Sequence, residues 1–388
     1  MPSRRKCTLS SGEVHTYAAQ WLEPLRLKER GIRCVTSVVL RILFLAASRI
    51  SSIGAVCRDL SGAPSDQAVY DALEAMLPEN IGLVQRRLNA CLTSQLPRKL
   101  TRRQRVVAID LTLIPYHGQP YADERELFHS KPRGGTSKFH AYATAYVCEK
   151  GFRYTLAVRR VTAGTVMKDL VQELVRAVRR LGLKIKVLLL DRGFYSVAVM
   201  RYLRRTKCPF VMPAVIRGRK PPAGQQPGGM RALRNKRLGW YRATVTSKRD
   251  SIDVAVCVAA KRYVHRKTDT VRYKKLLYVA WGYHASPLEI RELYRRRFAI
   301  ETSYRQMNQA RIRTCTRNPL ERLVYFAIAL ILRNVWVWLH FTLFATHKRG
   351  RLQLRLHLFR FRRMLDWLAQ QTQLHLHGTD PYAIEWQP

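Results

Sequence analysis

The amino-acid sequence predicts an α/β protein: a mixed sheet flanked by helices and interrupted by a β-rich insertion, with an all-α domain before it and a helical region after it. Three observations support this class. Residues 1–100 have a helical periodicity of apolar residues, residues 105–215 alternate short apolar runs with amphipathic segments, and residues 319–344 return to the helical period. We therefore expect five segments, bounded as 1–100, 101–216, 217–284, 285–346 and 347–388.

Composition narrows the class of partner. The chain has 388 residues, with 70 Lys and Arg against 26 Asp and Glu, which gives a formal net charge of +44 at pH 7. Repulsion among so many cations is relieved by a polyanion, so nucleic acid is the expected partner, bound through counterion release. A membrane surface is the alternative that charge alone leaves open.

Cysteines and apolar runs favour a cytoplasmic protein. The eight cysteines are scattered without a CxxC pair or a Cys/His metal spacing, as is typical of reduced thiols in the cytosol. The longest apolar run, Leu323–Leu332, ends at Arg333 and is too short to cross a bilayer. We therefore expect no membrane partner.

The N-terminal segment is expected to hold five helices. They are predicted near 13–29, 35–49, 52–60, 65–77 and 80–94. Residues 51–75 have helix-turn-helix spacing, because a short helix ends at Leu60, Gly62 and Pro64 break the chain, and Ser65 caps the next helix. Such a unit suits a DNA groove, but two helices joined by a Gly/Pro turn are equally common in purely structural domains.

Beyond the basic connector 97–105, apolar strands and amphipathic helices follow each other. Their predicted order is strand 105–116, strand 138–148, strand 152–161, helix 165–181, strand 184–190, helix 196–206 and strand 209–215. Three antiparallel strands, followed by strands that enter through crossover helices, is the order of RNase H-like folds. The uninterrupted apolar run Val187–Leu190 is typical of a strand buried on both faces.

The remaining patterns are an insertion and a basic tail. Residues 217–237, rich in Gly, Pro, Lys and Arg, indicate a loop. The alternating runs 240–248, 251–264 and 275–283 predict the β-rich insertion. After the helix 319–344, residues 348–363 interleave cations with apolar and aromatic side chains. This is typical of an arm along a phosphate backbone, and equally of an amphipathic edge whose arginines face water.

A single long helix is predicted from Ser286 to Arg313, with Ser286 as its cap and Pro287 in its first turn. At about 100° per residue, the polar face holds Tyr294, Arg297, Glu301, Arg305 and Asn308, and the apolar face holds Leu293, Ala299, Ile300, Met307 and Ala310. Taken alone, the pattern is that of a surface helix whose Arg297, Glu301 and Arg305 pair at i,i+4.

Two aspartates interrupt apolar strands elsewhere: Asp110 follows Val106–Ile109, and Asp191 follows Val187–Leu190. A buried carboxylate must be paired, hydrogen-bonded or bound to a metal, although each aspartate alone is explained as readily by the capping of a turn. In an RNase H-like sheet the first and fourth strands are neighbours, and the helix after the last strand crosses both. Asp110, Asp191 and Glu301 are therefore expected to converge.

Three converging carboxylates predict a metal site. Their hard oxygen donors favour Mg²⁺ or Mn²⁺ over zinc. Two such ions about 3.5 to 4 Å apart stabilise both the attacking and the leaving oxygen of a phosphodiester displacement. No general-base histidine is then required.

The strand around Asp110, the sequence Asp191-Arg-Gly-Phe-Tyr-Ser196 and the spacing Tyr294-x2-Arg297-x3-Glu301 resemble the DDE transposases of bacterial and archaeal insertion sequences, in the large group marked by a Tyr-Arg-Glu-Lys signature. The resemblance covers roughly residues 105–340. It implies an RNase H-like catalytic domain in segments 101–216 and 285–346, divided by the insertion 217–284. Segment 1–100 is then the expected DNA-binding domain, and segment 347–388 a basic arm and a C-terminal helix.

The resemblance also implies roles for individual residues. Asp110, Asp191 and Glu301 would be the catalytic metal ligands, with two Mg²⁺ ions or Mn²⁺ as substitute, and Tyr294 and Arg297 would hold DNA phosphates. The signature's Lys, seven residues after the Glu, falls on Asn308, which brings no charge. Arg305, Arg311 or Arg313 is expected to supply that charge from the same helix.

The function implied is Mg²⁺-dependent nicking at the ends of a mobile element and joining of the freed 3′-hydroxyl to target DNA. The expected partner is double-stranded DNA, held by a homodimer on paired ends and associated with the nucleoid, with no small-molecule substrate. Two alternatives stay open: a nuclease of the same fold, and a transposase-derived DNA-binding protein that has lost catalysis.

Overall fold

A computed structural model describes residues 8–378 except 30–33, 217–221, 223–224, 226–227, 249, 266–267 and 349–350. Its first hundred residues are helical, as predicted. The helices are α1 (Ser11–Leu22), α2 (Thr36–Arg49), α3 (Ile53–Arg58), α4 (Asp66–Met76) and α5 (Ile81–Thr93). The predicted first helix is too long, because Pro24 tightens residues 23–25 into a 3₁₀ turn that ends the helix at Leu22.

The catalytic-segment elements follow in the predicted order. They are β1 (Arg105–Pro115), β2 (Phe128–Arg133), β3 (Thr136–Val147), β4 (Thr155–Val161), α6 (Met167–Arg180), β5 (Ile185–Leu190), α7 (Val197–Arg205) and β6 (Phe210–Pro213). Strand β2 was not predicted, because it is short, mostly exposed and contains a proline, so it lacks an apolar pattern. It forms a hairpin with the start of β3.

The insertion and the C-terminal half complete the element list. They contain α8 (Gly229–Ala232), β7 (Gly239–Thr246), β8 (Ser251–Val264), β9 (Val271–Trp281), α9 (Pro287–Arg295), α10 (Phe298–Met307), α11 (Pro319–Leu339), β10 (Thr346–Lys348), β11 (Arg351–Gln353) and α12 (Phe361–His375). A π-helical turn, residues 340–344, extends α11 to the predicted end of that helix.

One mixed sheet of nine strands organises the described part of the chain. Its order is β2-β3-β1-β5-β6-β9-β8-β7, with β4 also paired to β3. Strand β1 is antiparallel to β3 and parallel to β5, and β5 is parallel to β6, which is the RNase H-like arrangement predicted. The insertion is not a separate β unit, because β9 pairs with β6 and so extends the central sheet.

The long helix predicted for 286–313 is in fact broken. Helix α9 ends at Arg295 and α10 begins at Phe298. At the junction the bonds shorten to i→i−3: Arg297 N–H donates to the Tyr294 carbonyl at 3.0 Å, and Ile300 N–H to the Arg297 carbonyl at 2.9 Å. This tighter winding directs Arg297 towards the sheet. After Met307 the chain forms one 3₁₀ turn, 308–310, and then continues without helix to α11.

Helix α11 is a core helix. Residues 319–344 are long and apolar enough to cross a membrane by length and composition, but 94% of their most apolar window is buried inside the protein. Arg333 and Asn334 in the middle of this helix are 2% and 0% exposed, and both are hydrogen-bonded to other segments. The helix is therefore packed against the sheet and α5.

The helical ends and the sheet share one hydrophobic core. Helix α12 packs on α1 and α2, and α5 packs on α11 and β4. The Asn89 side chain donates to the Val158 carbonyl at 3.1 Å and accepts from its N–H at 2.7 Å, which ties α5 to the sheet. The described parts of segments 1–100 and 347–388 therefore pack as parts of the same body as the sheet.

The helix-turn-helix pattern has the predicted cap, because Ser65 accepts from Ala68 N–H at the start of α4. Helix α3 is capped by Ser52, which was not predicted, and ends at Arg58 rather than at the predicted Leu60. The exposed face of α4 carries Asp71 and Glu74. Because these carboxylates repel phosphates, the local surface favours the structural interpretation of this unit over a helix that enters a DNA groove.

The basic tail combines both interpretations. Phe359 and Phe361 are 4% exposed and belong to the core, while Arg355, Arg360 and Arg363 are exposed. Strands β10 and β11 pair antiparallel, and residues 349–350 between them lie outside the described residues.

Candidate active site

The sheet register places two of the predicted carboxylates side by side. The last registered pair between the parallel strands β1 and β5 is Ile109 with Leu190, so the next residue on each strand is Asp110 and Asp191. Asp110 is 7% exposed, and Asp191 begins the turn after β5. This is the edge at which ligands bind in open α/β sheets, beyond the carboxyl ends of parallel strands.

Two tyrosines attach the helices α9 and α10 to this edge. The Tyr294 hydroxyl donates to the Leu190 carbonyl at 3.2 Å, directly before Asp191. The Tyr304 hydroxyl lies 3.2 Å from the Asp110 carbonyl and 2.7 Å from Thr144 Oγ1. Tyr304 was not predicted, although it lies seven residues after Arg297, on the same face of the helix.

A single guanidinium joins the first and third carboxylates. Arg297 Nη1 lies 2.9 Å from Asp110 Oδ2, and Arg297 Nη2 lies 2.7 Å from Glu301 Oε1. The Arg297 residue is 6% exposed, and its Nε is buried without a hydrogen-bond partner among the described residues. Of the predicted i,i+4 pairs, Arg297 with Glu301 is therefore present, but it is directed inward.

The charges at this site are strongly coupled. Burial raises the pKa of Asp110 to about 6; Arg297 opposes the rise, and the negative charges of Asp191 and Glu301 add to it. Burial would lower the pKa of Arg297, but Tyr294, Asp110, Asp191 and Glu301 outweigh burial and raise it. Arg297 therefore stays charged. Asp110 is repelled by the negative charges of Asp191 and Glu301, and a bound cation would relieve that repulsion.

The donor set fits a hard divalent cation, but in this arrangement it is not a preformed metal site. All three converging side chains offer carboxylate oxygens, which Mg²⁺ prefers. Yet no group of three or more His, Cys, Asp and Glu side chains in the described ranges is arranged to hold a metal ion. The reason is geometric, since the Arg297 guanidinium stands between Asp110 and Glu301.

The residues predicted to contact phosphates divide into two groups. Arg305, Asn308 and Arg311 are exposed. Tyr294 and Arg297 are 7% and 6% exposed and bind internal groups instead. In this conformation Tyr294 and Arg297 support the site from inside the protein. Of these five residues, the three exposed ones are accessible to a phosphate.

A wide basic cleft opens beside the carboxylates. Its volume is about 840 Å³, and it is bounded by the end of β6, the β8–β9 hairpin and α9. Tyr294 and Phe298 form the side of the cleft nearest the site. Its cations include Arg192, Lys261, Arg262, Lys274, Arg291 and Arg295, and the described residues that line it include no acid. Such a concentration of positive charge in a concave surface suits a polyanion.

The fold and site together define an RNase H-like protein with an acidic site at the sheet edge and a basic cleft next to it. A family model described as the transposase DDE domain matches residues 101–335, more than half of the chain. The chain belongs to this family of transposase domains.

A solved structure has a similar fold. The chain is similar to the piggyBac transposase in a synaptic complex with hairpin DNA, with a TM-score of 0.55 and 12% identity over 96% of this chain and 74% of that one. It also matches the Mos1 transposase in a paired-end complex with the left transposon end, at a TM-score of 0.20 and 17% identity, covering 38% of this chain and 50% of that one. That score is too low to bear on the fold. No curated protein sequence matches the chain.

Proposed function

We propose that this protein nicks DNA at the ends of its own mobile element and joins the freed 3′-hydroxyl to target DNA. The observation that carries the proposal is the convergence of Asp110, Asp191 and Glu301 from β1, the end of β5 and α10, at the edge where the basic cleft opens. Family membership supports it, because these domains belong to transposases. The spacing of Tyr294, Arg297 and Glu301 further assigns the chain to the Tyr-Arg-Glu-Lys group, with Asn308 as its variant position.

In this proposal Asp110, Asp191 and Glu301 hold two Mg²⁺ ions, or Mn²⁺ in their place. Bound there, the ions supply Lewis-acid stabilisation of the attacking and leaving oxygens of a phosphodiester. The protein supplies position: β1 is fixed between β3 and β5, and Tyr304 fixes α10 over the Asp110 carbonyl. Arg297 pairs with both Asp110 and Glu301 and lies between them, in the place that the cations would take.

The DNA would lie across the cleft and the exposed end of α10. Arg305 and Arg311 would supply the charge that Asn308 lacks, and the cleft arginines and lysines would follow the backbone. Nicking two ends together requires two active sites. We therefore propose a homodimer on paired ends, associated with the nucleoid.

The test is cleavage of a duplex that carries the element's own flanking end, with Mg²⁺ or EDTA, resolved on a denaturing gel. Asp110→Ala, Asp191→Ala and Glu301→Ala should each abolish nicking, a loss on the order of 10³-fold, while DNA affinity is largely retained. Asp71→Ala, on the exposed face of α4, is the matched control. If a purified variant still nicks the duplex, the substituted carboxylate is not a catalytic metal ligand.

A second candidate is a transposase-derived DNA-binding protein without catalysis. Two observations favour it: Arg297 occupies the space between two carboxylates, and Asn308 replaces the signature's Lys. Tight, salt-sensitive binding without nicking under either Mg²⁺ or Mn²⁺ would select this candidate, and Asn308→Lys would then be the first attempt at rescue.

A further inference from the structure

A small cavity lies on the same face of the sheet as Asp110. It has a volume of about 40 Å³, room for a few water-sized groups, and lies where β3, the end of α10, the segment after it and α11 meet. Its polar side chains are His140, Arg311, Thr314, Arg322 and the tyrosines Tyr142 and Tyr325, and no acid is among its described lining residues. None of these residues takes part in the carboxylate site described above.

His140 leaves a buried hydrogen-bonding group unused. The residue is 5% exposed, and its Nε2 has no hydrogen-bond partner among the described residues. Its ring meets Tyr116 edge-on, with centroids 4.5 Å apart. Burial, then Arg322 and Arg160, lowers the pKa of His140 to about 3, so the ring is neutral near pH 7. A neutral imidazole can still donate through Nε2–H, and a buried donor without an acceptor is costly.

The cations next to His140 are also incompletely neutralised. Arg322 Nε donates to the Thr316 carbonyl at 2.6 Å, and its guanidinium lies 4.7 Å from the Tyr116 ring centre. Neither Arg311 nor Arg322 forms an ion pair with a carboxylate within the described ranges. Arg311 is exposed as a whole residue, but the surrounding protein partly desolvates its guanidinium and lowers its pKa, and the charge of Arg322 lowers it further. Two neighbouring guanidinium groups that lack an acid favour an anion between them.

The cavity has a defined position relative to the catalytic edge. In the pairing of β1 with β3, His140 lies opposite Ile114 and Thr144 lies opposite Asp110. The two pairs are therefore four positions apart along each strand. Residues an even number apart face the same side of a strand, and four residues span about 13 Å. A DNA strand whose phosphate lies at Asp110 therefore reaches the cavity within a few nucleotides.

We propose that His140, Arg311 and Arg322 form a subsite for a DNA backbone phosphate a few nucleotides from the bond that is cut. A phosphate offers only acceptor oxygens, which match two guanidinium forks and one imidazole donor. The inference rests on the proposed function, since it assumes that DNA lies across the Asp110 edge. It adds a binding contact that the carboxylate site does not contain.

The experiment scans single methylphosphonate substitutions along a duplex that carries the element's flanking end. Each substitution removes one phosphate charge, and affinity is measured for the wild type, Arg311→Gln and Arg317→Gln. Arg317 is the matched control, because it is exposed on the same segment but does not line the cavity. Arg311 is exposed, so its substitution should leave folding intact. Thermal denaturation verifies this.

We expect one phosphate near the nicking position at which the methylphosphonate weakens wild-type binding about tenfold and leaves Arg311→Gln unaffected. Arg311→Gln should also reduce the slope of log affinity against log salt by about one. His140→Phe, which keeps the ring but removes the donor, should reduce the same positional effect.

Three outcomes separate this subsite from the proposed function. Equal sensitivity of Arg311→Gln and Arg317→Gln at every phosphate, in a protein that binds and nicks its end, would overturn the subsite alone. Failure of the wild type to bind any DNA would overturn both. A wild type that binds and shows the positional effect but does not nick would keep the subsite and select the non-catalytic candidate.

Discussion

Two buried arginines on neighbouring helices, Arg297 and Arg333, have opposite environments. Arg333 on α11 is 2% exposed, and three of its nitrogens are bonded to neutral groups: Gln306 Oε1 at 3.1 Å, the Arg153 carbonyl at 2.7 Å and the Tyr146 hydroxyl at 2.9 Å. Arg297 on the α9–α10 junction is 6% exposed, but it holds two carboxylates and leaves its Nε unpaired.

The difference separates a structural group from a functional one. The contacts of Arg333 join β3, the loop before β4, α10 and α11, and none of its three partners carries a charge. Arg297 is surrounded by charges that a divalent cation would neutralise better than one guanidinium does. Arg333 should therefore govern stability, and Arg297 should govern activity.

The largest effect is expected from Arg333→Met. The substitution keeps the apolar stem but leaves three partners without a donor, at roughly 1–3 kcal/mol each, or about 3–9 kcal/mol in all. Removal of a desolvated charge offsets part of this loss, so the free energy of unfolding should fall by about 2–5 kcal/mol. Chemical denaturation would measure it, with the exposed Arg317→Met as control. Cleavage per folded molecule should stay close to wild type. A stable but inactive Arg333→Met would contradict the division of roles.

Arg297→Gln should have the converse effect. Loss of the guanidinium removes the group that positions Asp110 and Glu301, and we expect nicking to fall on the order of 10²-fold. Unfolding should change by no more than about 1–2 kcal/mol, because the substitution also removes a desolvated charge. Activity and denaturation measured on one preparation would show this. Collapse of the fold in Arg297→Gln would make the residue structural after all.

A smaller effect concerns competition for the carboxylates. If the guanidinium occupies the place of cations, Mn²⁺ should stabilise Arg297→Gln at lower concentration than it stabilises the wild type. A ligand at about 100 times its Kd contributes roughly 2.7 kcal/mol, which is visible as a shift in Tm. Asp110→Asn should remove the shift in both backgrounds. Identical Mn²⁺ titrations of the wild type and Arg297→Gln would show that Arg297 does not compete.

The smallest effect is a pH dependence set away from the site. Burial, then the charges of Arg41 and His375, lowers the pKa of His15 to about 4 from 6.5. Between these values the unfolded chain takes up a proton that the folded chain does not, so stability falls as pH falls from about 6.5 towards 4. His15→Gln should have a flatter profile than wild type by at most about 3 kcal/mol. Parallel profiles would contradict the shift. Asp110 is present in both proteins and cancels.

The central strands and the aspartates Asp110 and Asp191 were predictable from the sequence. A strand buried on both faces consists of consecutive apolar residues, so a charged residue directly after such a run stands out. The register of β1 and β5 then followed from the fold class. The position of β9 was not predictable, since pairing of β9 with β6 depends on which sheet edge is free and not on the β9 sequence.

The interior of the site was less predictable still. Helical periodicity assigned Tyr294 and Arg297 to a polar face, but it assumed one regular helix. The i→i−3 bonds at the junction, four in number, change the winding, and the side chains of Tyr294 and Arg297 are both buried. The sequence does not indicate whether the polar end of a tyrosine or an arginine is solvated or hydrogen-bonded to a carbonyl. The role of Tyr304 therefore also depended on tertiary structure.

The packing of α12 on α1 and α2 has a consequence for synthesis of the chain. Thr372 on α12 donates to the Arg41 carbonyl at 3.2 Å, and Arg362 donates to the Ser48 carbonyl at 2.8 Å, so the last helix covers the first ones. At about 5–20 residues per second, the ribosome needs roughly 15 to 60 s after residue 100 to synthesise the chain as far as α12. The N-terminal helices therefore complete their packing only once α12 has been synthesised, and a chain terminated before α12 would expose apolar surface to chaperones and proteases.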